Sequence, residues 1–83
     1  MRIVKFGESE IEVIDFEDAV AGERVIEFRN HGDAERASFA AIVVPDDKGW
    51  SSAVLAIDPR AGDVSAPLMV YLIEVARSLI EAR

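Results

Sequence analysis

The sequence predicts an α+β fold: an antiparallel sheet of about five strands with one long C-terminal helix packed on one face, in a single domain spanning 1–83. Three observations predict it. Apolar and polar residues alternate at 10–13 and at 24–29, the period of a half-buried strand. The five glycines are isolated, each between such runs. From Ser65 onward the apolar residues recur at helical spacing, with Pro67 in the first turn.

"RIVKF" at 2–6 and "EIEVIDF" at 10–16 are β-rich runs joined by Gly7, Glu8 and Ser9, which is hairpin chemistry. In the second run the alternation breaks where Val13 adjoins Ile14. A bulge or a strand end is expected there, turning Phe16 inward. "EDAVAGE" at 17–23 reads as a short helical turn or loop closed by Gly22. "RVIEFR" at 24–29 sets Ile26 and Phe28 against Glu27 and Arg29, and "NHGD" at 30–33 is a turn.

"RASFAAIVV" at 36–44 fits a buried helix or a covered strand, and its β-branched end followed by Pro45 favours the strand. "PDDKG" is a loop, and "WSSAVLAID" at 50–58 returns as a strand with Trp50, Ser52, Val54 and Ala56 on one face. Both of these strands lack a polar face and are expected at the centre of the sheet. "PRAGD" at 59–63 then breaks the pattern.

Ser65 is the expected N-cap of a helix over 66–82, with Leu68, Leu72, Val75, Ala76 and Leu79 as its core stripe. Arg77 and Glu81 lie at pairing distance on the polar back. The first half is apolar nearly all round, because Met69, Val70, Tyr71 and Ile73 cannot all face one small sheet. One helix covers one face only, so the opposite face needs a loop, a second copy or another protein.

Composition narrows the function classes. There is no cysteine, which removes disulfides, thiolate metal sites and cysteine nucleophiles. The longest apolar run, "APLMVYLI", is far shorter than the roughly 20 residues of a membrane span, and "MRIVKFGESE" has no apolar signal core. The expectation is a cytoplasmic chain that meets no membrane. The net charge is −7, and residues 1–22 set Arg2 and Lys5 against six carboxylates. That field repels a phosphate backbone, so direct nucleic-acid binding is not expected.

The acidic run is a poor ion cage. Glu8, Glu10 and Glu12 sit at strand spacing, about 7 Å apart, whereas a calcium loop converges its oxygens around a tight glycine turn. The bland reading is a solvated strand edge that resists aggregation. The functional one is an acidic strand edge of Glu8, Glu10, Glu12, Asp15 and Glu17 that docks on a basic partner. His31, the single histidine, has no second imidazole and reads as a turn residue.

Ser51 and Ser52 lack a nucleophile elbow, and no phosphate-binding glycine motif occurs. The pairs Asp46 with Asp47 and Asp15 with Glu17 have the chemistry of a general acid and base, but read as loop and strand carboxylates. Trp50, at the end of a loop, is either a cap on the core or a binding anchor. Val70 and Tyr71, on the overfull half of the helix, are the remaining interface residues. No catalytic residue, metal or cofactor is expected.

In its size, acidity and lack of cysteine and catalytic motifs, the chain resembles bacterial immunity proteins and phage-encoded inhibitors. That resemblance implies a non-enzymatic protein that occludes a toxin or nucleic-acid enzyme; it rests on composition and transfers no residue. Arginine outnumbers lysine seven to two, which fits a GC-rich bacterial or phage source. The leading expectation is an acidic protein-binding module for a basic surface. The alternatives are a self-associating homodimer and, third, a small carboxylate-based ligand or metal site.

Overall fold

The computed structural model describes residues 1–32 and 37–82. Five strands, β1 (Arg2–Phe6), β2 (Ser9–Asp18), β3 (Glu23–Asn30), β4 (Ala40–Pro45) and β5 (Val54–Ile57), form one antiparallel sheet in sequence order, and α1 (Ala66–Glu81) follows. The α+β architecture is as the sequence predicts. β1 and β5 are its edges.

Short turns set this meander. Gly7 occupies the tight β1–β2 turn with φ 60°, a value the primed hairpin turns require and side-chain-bearing residues resist. Between β2 and β3, the Asp18 carboxylate accepts from the backbone N–H of Val20 (3.2 Å) and Ala21 (3.1 Å), and Gly22 closes the turn at φ 70°. The strand therefore runs to Asp18, and the short helical turn or loop expected at 17–23 is a single turn over 19–22, in which Gly22 N–H donates to Asp18 O at 2.9 Å. The turn expected at 30–33 and the start of the run at 36–44 fall partly outside the described residues.

The register assigns the faces. Val4, Ile11, Val13, Phe28, Ile26, Ala40, Ile42 and Val44 are cross-strand neighbours on one face, and they pack with Leu68, Met69, Leu72 and Ala76 of α1. Phe28, Ile11, Ile26, Leu72 and Val13 are fully buried there. Each such side chain contributes about 1.5–3 kcal/mol of transfer free energy, which places the main core between sheet and helix.

The helix begins as its sequence says it should. Ser65 Oγ accepts from Leu68 N–H at 3.3 Å, and Pro67 lies in the first turn where it has no helical partner to lose. Met69 is buried with Leu68 and Leu72, so the helix seats one position more of its apolar half than the expected stripe. Arg77 Nε reaches Glu81 at 3.1 Å on the solvent side.

Two expectations are corrected. No bulge interrupts β2: the pairing with β3 is continuous from Ile11 to Asp18, so Ile14 and Phe16 point away from the helix, and Phe16 is 39% exposed. The run 50–58 is not a full central strand. Trp50–Ser52 form a 3-10 turn, and only Val54–Ile57 pair, along the edge of β4. All four residues of β5 are exposed.

Candidate functional site

The face away from α1 is built by the same alternation. Phe16 pairs with Val25, Val25 with Val43 and Val43 with Val54, so four apolar side chains stand in one row across β2, β3, β4 and β5. Beside them runs a second row of Ile14, Glu27, Ala41 and Ala56. Among the described residues no element crosses this face. Val25 is buried by its flanking neighbours alone and has no part in the helix-side core. Val54, at the open end of the row, is 60% exposed.

Carboxylates frame this row. Glu10, Glu12, Asp18, Glu23 and Glu27 share the face with Lys5 and Arg29 as the cations. Glu12 differs from the rest, being 2% exposed. Arg29 Nε donates to one of its oxygens, and His31 Nδ1 lies 2.9 Å from the other. A buried carboxylate so held is a structural ion pair, and its charge is spent within the sheet. Glu27 accepts from Ser38 Oγ at 2.9 Å.

On the helix side, β2 and β3 extend past the part of the sheet that the core covers. Asp15 takes Arg24 in a two-pronged pair, with Nε at 2.9 Å and Nη2 at 2.6 Å. That hydrogen bonding, with the charges of Asp15 and Glu17, raises the Arg24 pKa further despite partial burial. Arg24, Glu17, Asp46, Lys48 and Ile80 line a shallow recess of about 380 Å³. Its lining sets the carboxylates of Glu17 and Asp46 against the cations of Arg24 and Lys48 over the apolar side chains of Val44, Pro45 and Ile80.

The acidic residues expected to act together are therefore separated. β1 flanks β2 only from Ser9 to Val13, so Glu10 and Glu12 lie inside the sheet, whereas Ile14 to Asp18 pair with β3 alone and leave their other side as an open edge. Glu8 is exposed in the hairpin turn, Glu10 and Glu12 lie on the open face, and Asp15 and Glu17 lie on the opposite one. Trp50 is half-buried against the helix-side core, which it caps. Tyr71 also packs there, its ring 5.3 Å from that of Phe6. Val70 is exposed at 63%.

The apolar row of the open face was not among the sequence-derived site residues. Its signal was present in the sequence: Ile14 and Phe16 are in alternate phase to Ile11 and Val13, as a strand with two apolar faces would be. Among the described residues, no group of three histidine or acidic side chains is placed to hold a metal ion, and no helix is long and apolar enough to cross a membrane. No protein-family model, curated protein or solved structure matches the chain.

Proposed function

We propose that this chain is a non-enzymatic protein-binding module that docks through the open face of its sheet onto a partner with an apolar patch ringed by basic groups. The observation that carries this reading is the row Phe16, Val25, Val43 and Val54, side by side on the open face, exposed at its two ends, Phe16 and Val54, within a frame of carboxylates. Contiguous apolar surface rimmed by polar groups is the usual anatomy of an interaction site. The framing acids outnumber Lys5 and Arg29, and this imbalance selects a basic partner and speeds its approach. An inhibitor or immunity-type protein that occludes a toxin or nucleic-acid enzyme would work in this way.

The roles within the surface differ. Phe16 is the anchor, since it is the largest apolar side chain of the row and a large ring carries more binding energy than the charged groups of the rim. Glu10 and Glu23 are steering charges that also set the salt dependence. Glu12, locked to Arg29 and His31, supports the sheet and does not meet the partner.

The test is a pull-down from the native host at low and moderate salt, followed by binding kinetics with the identified partner. Phe16→Asp should weaken affinity at least about 30-fold, mainly through faster dissociation. Reversing Glu10 and Glu23 to lysine should slow association and flatten its salt dependence. A partner whose binding ignores both changes sinks the proposal.

A further inference from the structure

We propose that β5 is a self-pairing edge, through which two copies of this chain join their sheets into one antiparallel ten-stranded sheet about a two-fold axis at Ala56. This lies beyond the partner-binding reading and does not depend on it.

The backbone carries the first argument. Asp58 N–H donates to Phe39 O at 3.0 Å, and Ala40 pairs with Ile57. In an antiparallel ladder hydrogen-bonded and non-hydrogen-bonded pairs alternate, so Asp58, Ala56 and Val54 turn their backbone groups toward β4. Leu55 and Ile57 turn theirs outward, to the open edge. Ala53 N–H is already taken by Trp50 O at 2.9 Å, which leaves Leu55 and Ile57 as the complete outward-facing pairs of the strand.

A second copy satisfies both at once. A two-fold axis perpendicular to the sheet keeps like faces together, so residues that pair across it must come from the same face. Setting Ala56 against its own copy places Leu55 opposite Ile57 of the second molecule, twice, with four new backbone hydrogen bonds. Leu55 and Ile57, 39% and 42% exposed on the helix side, then cover one another.

Charge favours this occupant. Each copy carries −7, so two copies meet most readily where the surface is uncharged. Ala53–Ile57 has no ionisable residue. The opposite edge, β1, carries Arg2 and Lys5, charges that blunt an edge against pairing. β5 has no such guard, and its apolar side chains face solvent on both sides of the sheet.

The area sets the strength. A standard interface takes about 10% of a small protein's surface, roughly 500 Å² of the 5290 Å² here. A four-residue edge reaches no more than that, which is the low end for specific contacts. The dimer should therefore be concentration-dependent and form in the micromolar range.

Sedimentation velocity from about 10 µM to 1 mM tests it, with a charge swap at the two-fold position. Ala56 is exposed and its side chain touches no core residue, so Ala56→Lys and Ala56→Glu should each keep the native circular dichroism spectrum. Each alone places like charges against one another and should lower dimer affinity at least tenfold, and an equimolar mixture should restore it. Ile57→Pro, which removes an outward N–H and no ladder bond, should also abolish dimerisation. A wild-type chain that stays monomeric at 1 mM overturns the proposal. So does a dimer that persists in both single-charge variants, or a mixture that shows no rescue.

Discussion

Glu12 on β2 and Arg29 on β3 are direct cross-strand partners whose side chains meet on the sheet face that α1 leaves open. The carboxylate is nonetheless almost fully buried, while Arg29 keeps a fifth of its side chain exposed. His31 approaches the second oxygen, and Ile3 of β1 pairs with Glu12 on its other flank. The sheet therefore hides a charge on its wet side by surrounding it with its neighbours.

Breaking this pair from the arginine side should cost more than neutralising the acid. Arg29→Ala leaves a buried carboxylate without its main partner, and we expect a loss of about 2–4 kcal/mol, discounted from the fully buried case because Arg29 is partly solvated. Glu12→Gln keeps an acceptor of the same shape and should lose about 1–2 kcal/mol. Urea midpoints at pH 7 compare them. Equal or reversed losses would show that the pair is not what holds Glu12 in place.

Phe28 and Phe16 test which face is the core. Phe28 is fully buried beneath the helix, and Phe28→Ala should cost about 3–5 kcal/mol, enough to unfold a marginal chain of this size. Phe16, on the other face, is 39% exposed, and Phe16→Ser should cost only about 1–2 kcal/mol. The two variants measured by thermal melting should differ sharply. A large loss from Phe16→Ser would mean that the open face is a second core.

This contrast also marks where the sequence was legible. The helix start was readable because Ser65 and Pro67 are local signals, and the hairpin at Gly7 likewise needs no distant partner. β2 was harder to read, because two apolar faces in one strand give adjacent apolar residues such as Val13 and Ile14, which mimic a bulge. Its place inside the sheet depends on pairing with both β1 and β3, and no single run of residues contains that information. β5 looked central because it has no polar face, whereas the sheet leaves it at an edge. The carboxylates of 7–18 were visible in number, but their separation onto opposite faces follows from the unbroken register of β2.

Ser65 offers a local test of the helix. Its hydroxyl satisfies one of the backbone donors that the first turn leaves unpaired. Ser65→Ala should lower stability by about 1 kcal/mol, or roughly 4–8 °C in Tm for a domain of this size. Ser65→Asp should retain the native Tm or exceed it, because a carboxylate there also meets the positive end of the helix dipole. If both substitutions lower Tm equally, the cap is not what starts α1.

Asp58 closes β5 and should give the fold an acid-sensitive element. Arg60 donates from its side chain and its backbone N–H to the Asp58 carboxylate, which lowers its pKa below the ordinary 3.8. A carboxylate whose folded pKa is depressed contributes stability above its unfolded pKa. That contribution is lost as pH falls from about 4 through the folded value. Asp58→Asn keeps an oxygen for the Arg60 N–H and leaves the Asp58 backbone bond to Phe39 intact, so it removes the charge and little else. Thermal melts from pH 6 to 2.5 should show the wild type more stable than the asparagine variant at pH 6, with the difference closing below pH 4. The site is open to solvent and the effect should be small, so the shape of the difference decides. A gap that is constant across the range would mean that the ion pair with Arg60 adds nothing to the folded state.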